Sequence, residues 1–164
     1  MVRSRFRLRP QPRWGSIGVS SEVTIKPESA SAAAGLRILL VEDEPALRRL
    51  LARLLRMSGF AVIEAADGIE ALQLFSSPDG VPDLLISDVV MPRMGGLELA
   101  VELRLLHPQL PVLFISGYTD NLFLESEELR HGTSFLAKPF PPQALIGKVK
   151  EIFAAGGNAA PADH

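Results

Sequence analysis

A doubly wound α/β fold, with five parallel strands covered by helices on both faces, is what this sequence predicts. Three observations carry it: short apolar runs recur along the chain, helix-patterned segments separate them, and 164 residues at 47% hydrophobic content suit one buried core. Runs buried on both faces lose the alternation of a half-exposed strand. Strands that alternate with helices pair in parallel through crossovers lying on the sheet.

The first strand is read at Ile38-Leu39-Leu40-Val41. The helix after it opens with Pro45 in its first turn and carries Leu47, Leu50, Leu51, Leu54 and Leu55 at the three-and-four spacing of a buried stripe, which turns Arg48, Arg49, Arg53 and Arg56 outward. A second strand follows at 61–65 and a helix at 68–76. Leu84-Leu85-Ile86 forms the third strand, with a helix at 95–106, and Val112-Leu113-Phe114-Ile115 the fourth. A shorter helix is expected within 120–130. Phe135-Leu136-Ala137 makes the last strand and 142–153 the last helix. The folded body therefore occupies 36–155, and 156–164 reads as a disordered tail.

Residues 1–35 carry six basic and two acidic side chains, with Arg3, Arg5, Arg7, Arg9 and Arg13 among them and prolines at 10, 12 and 27. No helical or strand period runs through this segment, which reads as a flexible basic arm or an inter-domain linker. The remaining eleven basic and seventeen acidic residues give the body a net charge of about −6. Such a body argues against a nucleic-acid surface, which needs clustered Lys and Arg on the folded part. No apolar stretch approaches the roughly 18 residues of a membrane span, so no membrane partner is expected. The absence of cysteine excludes disulfides and thiolate chemistry and is compatible with a cytoplasmic location.

Ligands of an open parallel sheet gather at the carboxyl ends of its strands. The residues there form a coherent set: Glu42 and Asp43 after the first run, Asp88 after the third, Ser116 after the fourth, and Lys138-Pro139 after the fifth. Three converging carboxylates repel one another unless a cation lies among them, and hard oxygen ligands without His or Cys suit Mg²⁺. Asp88 could then act as a nucleophile toward phosphorus, since a carboxylate is already ionised at neutral pH and needs no general base. Lys138 and Ser116 would bind the phosphoryl oxygens. Any one acidic residue after a strand is more often a helix cap; the joint occurrence of all five in order carries the reading.

The segments Ile38-Leu39-Leu40-Val41-Glu42-Asp43-Glu44, Ser87-Asp88-Val89-Val90-Met91-Pro92-Arg93-Met94-Gly95-Gly96, Ile115-Ser116-Gly117-Tyr118 and Ala137-Lys138-Pro139-Phe140 resemble the response-regulator receiver domains of two-component systems. The resemblance spans the whole body. It implies a flavodoxin-like fold with strand order 2-1-3-4-5, Asp88 as phosphoacceptor, and Mg²⁺ held by Glu42, Asp43, Asp88 and the backbone carbonyl of Val90. Glu42 is one methylene longer than the Asp often found there. The resemblance also implies a cis peptide bond before Pro139 and an aromatic switch residue at Phe135, where core packing alone is the competing reading. Val90 and Tyr118 fall where family members tune water access to the acyl phosphate, and their bulk implies a long-lived phosphoryl state.

The expected function is a phosphorelay signal. A sensor histidine kinase or histidine phosphotransfer protein would phosphorylate Asp88, and a downstream protein target would read the change. The outward arginines of the first helix mark either the docking face for that donor or a solvated surface. Both a stand-alone receiver and the receiver portion of a hybrid sensor kinase fit, the phrase from Phe114 to Asn121 looking like the latter. An aspartyl-phosphate phosphatase would need an acid two residues past the nucleophile, where Val90 stands. The chain is thus expected to catalyse only its own phosphorylation and dephosphorylation. An interaction module that is never phosphorylated would usually have lost part of the site.

Overall fold

In the computed structural model the described residues are 35–77, 81–117 and 131–156. Five strands form one parallel sheet: β1 (Arg37–Val41), β2 (Ala61–Ala65), β3 (Leu84–Asp88), β4 (Val112–Ser116) and β5 (Thr133–Ala137), in the order β2-β1-β3-β4-β5. The described helices are α1 (Pro45–Met57), α2 (Gly68–Phe75), α3 (Gly96–Leu106) and α4 (Pro142–Gly156). The expected arm at 1–35 and tail at 156–164 fall almost wholly outside the described residues, as do the expected short helix at 120–130 and Tyr118.

The period-two pleat sorts each apolar run into two cores. Leu39, Val41, Leu85, Val112 and Phe114 face Ala71 and Phe75 of α2 and Leu99 and Leu103 of α3. Ile38, Leu40, Leu84, Ile86, Leu113 and Ile115 face Leu51 and Leu55 of α1 and Leu145 and Val149 of α4. Every one of these side chains is buried, so the continuous apolar runs of the central strands have a physical cause: neither face meets water. The sequence order reverses between β1 and its two neighbours, β2 and β3. Chain leaving β1 and β3 therefore diverges to opposite faces and opens a crevice at their carboxyl ends.

The edges depart from the expectation. β5 is not a strand buried on both faces: Thr133 and Ser134 are half-buried and Phe135 is 37% exposed. The buried stripe of α1 is also rotated. Leu51, Ala52 and Leu55 are buried, whereas Leu50 is 53% exposed. Small Ala52 lets the helix turn that flank toward the sheet. Arg48, one turn before Leu51 and Ala52, is carried to the rim of the buried face. It does not point outward: its Nη1 donates to the Glu42 carbonyl at 2.6 Å, and its Nε lies 4.0 Å from Glu64. Arg56 is exposed as expected and reaches β2 along the surface, pairing with Glu64 at 2.8 Å and donating to the Val62 carbonyl at 2.9 Å. Arg49, Arg53 and Arg56 are the exposed members of the set.

Candidate phosphoacceptor site

Asp88 closes β3, and its backbone sits where α3 begins. A Cβ built on Gly96 would fall 2.0 Å from the Asp88 carbonyl oxygen, so only glycine lets α3 start against the strand end. Ser87 Oγ donates to the same carbonyl at 2.9 Å, and the Gly96 amide donates to the Val89 carbonyl at 3.0 Å. With its main chain pinned, the Asp88 carboxylate is aimed into the crevice. Oδ1 accepts the Val90 amide at 3.1 Å and Oδ2 accepts Lys138 Nζ at 2.6 Å.

Glu42 extends the β1–β2 ladder by one bond, its amide donating to the Ala65 carbonyl at 3.2 Å. Its side chain is 3% exposed and points inward, where Oε2 accepts from Lys138 Nζ at 3.1 Å and Oε1 from the Glu44 amide at 3.3 Å. Burial pushes the Glu42 carboxyl above its ordinary value and Asp88 nearby adds to this, while Lys138 and the Glu44 amide pull the other way and lose. Asp43, next in the chain, is exposed. One ligand oxygen from each of Glu42, Asp43 and Asp88 lies within 4.8 Å of the others.

Lys138 reaches this trio from the far side of the sheet. Its amide donates to the Ser116 carbonyl at 2.7 Å, which continues the β4–β5 ladder, and the Lys138–Pro139 peptide bond is cis. Burial alone would lower the ammonium's pKa, but the bonds to Asp88 and Glu42 outweigh it and the net direction is upward. Among the described residues, one ammonium meets three carboxylates here, which leaves the crevice negative. Such a set of hard oxygen donors fits Mg²⁺.

Ser116 ends β4 one residue beyond Ile115, which pairs in register with Asp88, so it stands at the crevice rim. Phe135 lies opposite Phe114, with ring centroids 5.4 Å apart. Val90 is 73% exposed, and its amide touches the site directly. Beside Lys138, α1 and the start of α4 leave an apolar groove of about 280 Å³, lined by Leu47, Leu50, Leu51, Leu54, Pro139 and Phe140. The sequence reading missed Asp67 and Arg93, which form an ion pair between the start of α2 and the loop after β3. The Asp67-Gly68 pair was a legible helix-cap signal; nothing in the sequence indicated its partner.

Comparison with known proteins agrees with this geometry. Residues 38–150 match the response regulator receiver domain family. The sensor kinase CckA of Brucella abortus (strain 2308) is 41% identical over 128 residues, covering 77% of this chain and 14% of that protein. The crystal structure of the receiver domain from the hybrid histidine kinase CckA is 44% identical, covers 71% of this chain and 98% of that one, and superposes with a TM-score of 0.61. The response regulator TrrA of Thermotoga maritima, solved in complex with Mg(2+)-BeF, is 32% identical over 71% of this chain and 98% of its own, with a TM-score of 0.62. The chain spans between 14% and 50% of the length of the curated relatives it matches. The sheet order, the matched residues and these likenesses together establish that the chain belongs to the response regulator receiver domain family, the signalling domains of two-component systems.

Proposed function

We propose that the chain accepts a phosphoryl group on Asp88 from a phosphohistidine of a sensor histidine kinase or a histidine phosphotransfer protein, and passes the signal on through altered protein contacts. The observation that carries this reading is the meeting of Asp88, Lys138 and two further carboxylates at one sheet edge. Attack by an Asp88 carboxylate oxygen forms the O–P bond as the P–N bond to the donor imidazole breaks, the imidazole keeping the electron pair and taking up a proton. Lys138, already on Asp88 Oδ2, is placed to stay with the charge as it spreads over the phosphoryl oxygens, and Ser116 at the rim is a further donor to them.

Glu42, Asp43, Asp88 and the Val90 carbonyl would hold Mg²⁺, which when bound would offset the negative charge of the incoming group. The likeness to TrrA, solved with Mg(2+)-BeF, supports this assignment. Glu42 is buried beside Lys138 and Asp43 is exposed, so the two acids present different faces of the site.

The readout would pass through Ser116 and β5. Phe135 is partly exposed and rests on Phe114, so an inward turn of its ring when Ser116 moves toward the phosphoryl group is the switch this reading assigns. The groove beside Lys138, with exposed Leu50 at its edge, offers an apolar seat for the donor close to the ammonium. No described helix is long and apolar enough to cross a membrane; a cytoplasmic location follows from the proposed donor.

Labelled phosphoryl transfer from a histidine phosphotransfer protein tests the reading. The intact chain should take up label only with Mg²⁺, and Asp88→Asn should take up none. Label retained by Asp88→Asn would overturn it.

A further inference from the structure

Two loops meet beside the crevice through residues that the phosphoryl chemistry above does not use. Arg93, five residues past Asp88, holds φ at 69°, the left-handed region that a non-glycine side chain enters only at a cost. Its Nη2 pairs with Oδ2 of Asp67, whose side chain is 3% exposed. The other oxygen, Oδ1, accepts the amides of Ile69 and Glu70 at 2.9 and 3.0 Å. The carboxylate is thus fixed by the α2 backbone, and Arg93 supplies the compensating charge a buried anion requires. Contact continues at the next residue: a Cβ on Gly68 would fall 2.6 Å from Met94 Cγ. At its other end the loop is tied down by the Gly96 amide on the Val89 carbonyl. Between these anchors lies Val90, whose amide holds Asp88 Oδ1.

A cap for α2 needs Asp67 but not Arg93, and a bare left-handed turn would be better filled by glycine. Arginine at that φ is explained by what its side chain reaches. We propose that the Arg93–Asp67 ion pair is a latch that holds residues 89–95 against the start of α2, so that the Val90 amide fixes the orientation of the Asp88 carboxylate. Arg93 and Asp67 are then positioning residues for phosphoryl uptake. The link to uptake rests on Asp88 being the phosphoacceptor, whereas the link to Val90 does not.

The test uses the full chain with Arg93→Gly, Asp67→Asn, the double variant and Arg93→Lys. Glycine removes the charge while accepting the backbone angle, and asparagine keeps the Oδ1 acceptor of the cap, so all should remain folded, checked by melting temperature. Two quantities are read: exchange of the Val90 amide proton without metal, and the initial rate of phosphorylation by acetyl phosphate in Mg²⁺. Each single loss variant should speed exchange and slow uptake by about fivefold, and the double variant should be no worse than either single, as residues acting through one contact are non-additive. Arg93→Lys should recover part of both. Wild-type exchange and uptake in folded Arg93→Gly would overturn the latch, and so would a double variant equal to the product of the singles. Faster Val90 exchange in variants of a chain that takes up no phosphoryl group would sustain the latch and overturn the phosphoacceptor reading alone.

Discussion

Lys138→Met removes the ammonium that bridges Glu42 and Asp88, with consequences set by the geometry. Breaking a fully buried ion pair by deleting one partner costs about 3–5 kcal/mol. The Lys138 side chain is 23% exposed and that of Asp88 15%, so water shares the load and about 2 kcal/mol is the expected loss in metal-free buffer at neutral pH. The deficit should shrink on acidification. Burial already holds Glu42 above its ordinary pKa, and loss of Lys138 removes the main opposing pull. The folded state then binds a proton more readily than the unfolded one, so its relative stability rises as pH falls toward the ordinary carboxylate range.

Mg²⁺ should narrow the deficit for a separate reason. Without the ammonium the trio carries one more net negative charge, so the variant should bind Mg²⁺ about tenfold more tightly, which at saturation returns about 1.4 kcal/mol relative to the wild type. Phosphoryl uptake should nonetheless fall, because Asp88 Oδ2 loses its bond to the ammonium. Urea denaturation with and without Mg²⁺, together with calorimetric titration of the metal, measures each quantity. Wild-type stability of the metal-free variant, or a deficit that Mg²⁺ leaves unchanged, would refute the reasoning.

Further outcomes are expected at other contacts. Gly96→Ala must displace the Asp88 carbonyl, since the new Cβ falls 2.0 Å from it; a loss of about 2 kcal/mol in denaturant melts is expected, with slower phosphorylation. Leu50→Asp, or reversal of Arg49 and Arg53 to Glu, should slow transfer from a histidine phosphotransfer protein while leaving uptake from acetyl phosphate unchanged. Leu50 lines the groove, and Arg49 and Arg53 are exposed on the same helix, away from the reacting atoms. Arg56→Glu, by contrast, meets Glu64 and should lower stability by about 1 kcal/mol in the same melts. If Val90 screens the acyl phosphate from water, Val90→Asn should shorten the lifetime of labelled protein in Mg²⁺ severalfold, read by loss of label over time.

Much of the architecture is legible in the sequence itself. Central strands β1, β3 and β4 stand out because burial on both faces demands unbroken apolar runs, and Glu42, Asp43 and Asp88 lie at the carboxyl ends of two such runs. The edge was harder. Phe135-Leu136-Ala137 looks like its neighbours in sequence, yet β5 has a strand on one side only and its residues are half exposed. The α1 stripe was misread at Leu50 and Arg48 because spacing defines a face only to within about one residue's rotation, and Ala52 decided which way the helix turned.

Sequence alone determined the class of fold, the strand ends at which chemistry would sit and the kinds of atom available there, since these depend on local burial pattern and residue type. The tertiary structure decided which of those atoms meet. Lys138 lies 50 residues from Asp88 and 96 from Glu42, and its position between them depends on where β5 joins the sheet. Arg93 finds Asp67 only because two loops from opposite sides of β1 arrive at one corner. Pairing across such distances is set by packing of the whole sheet, and no local pattern encodes it.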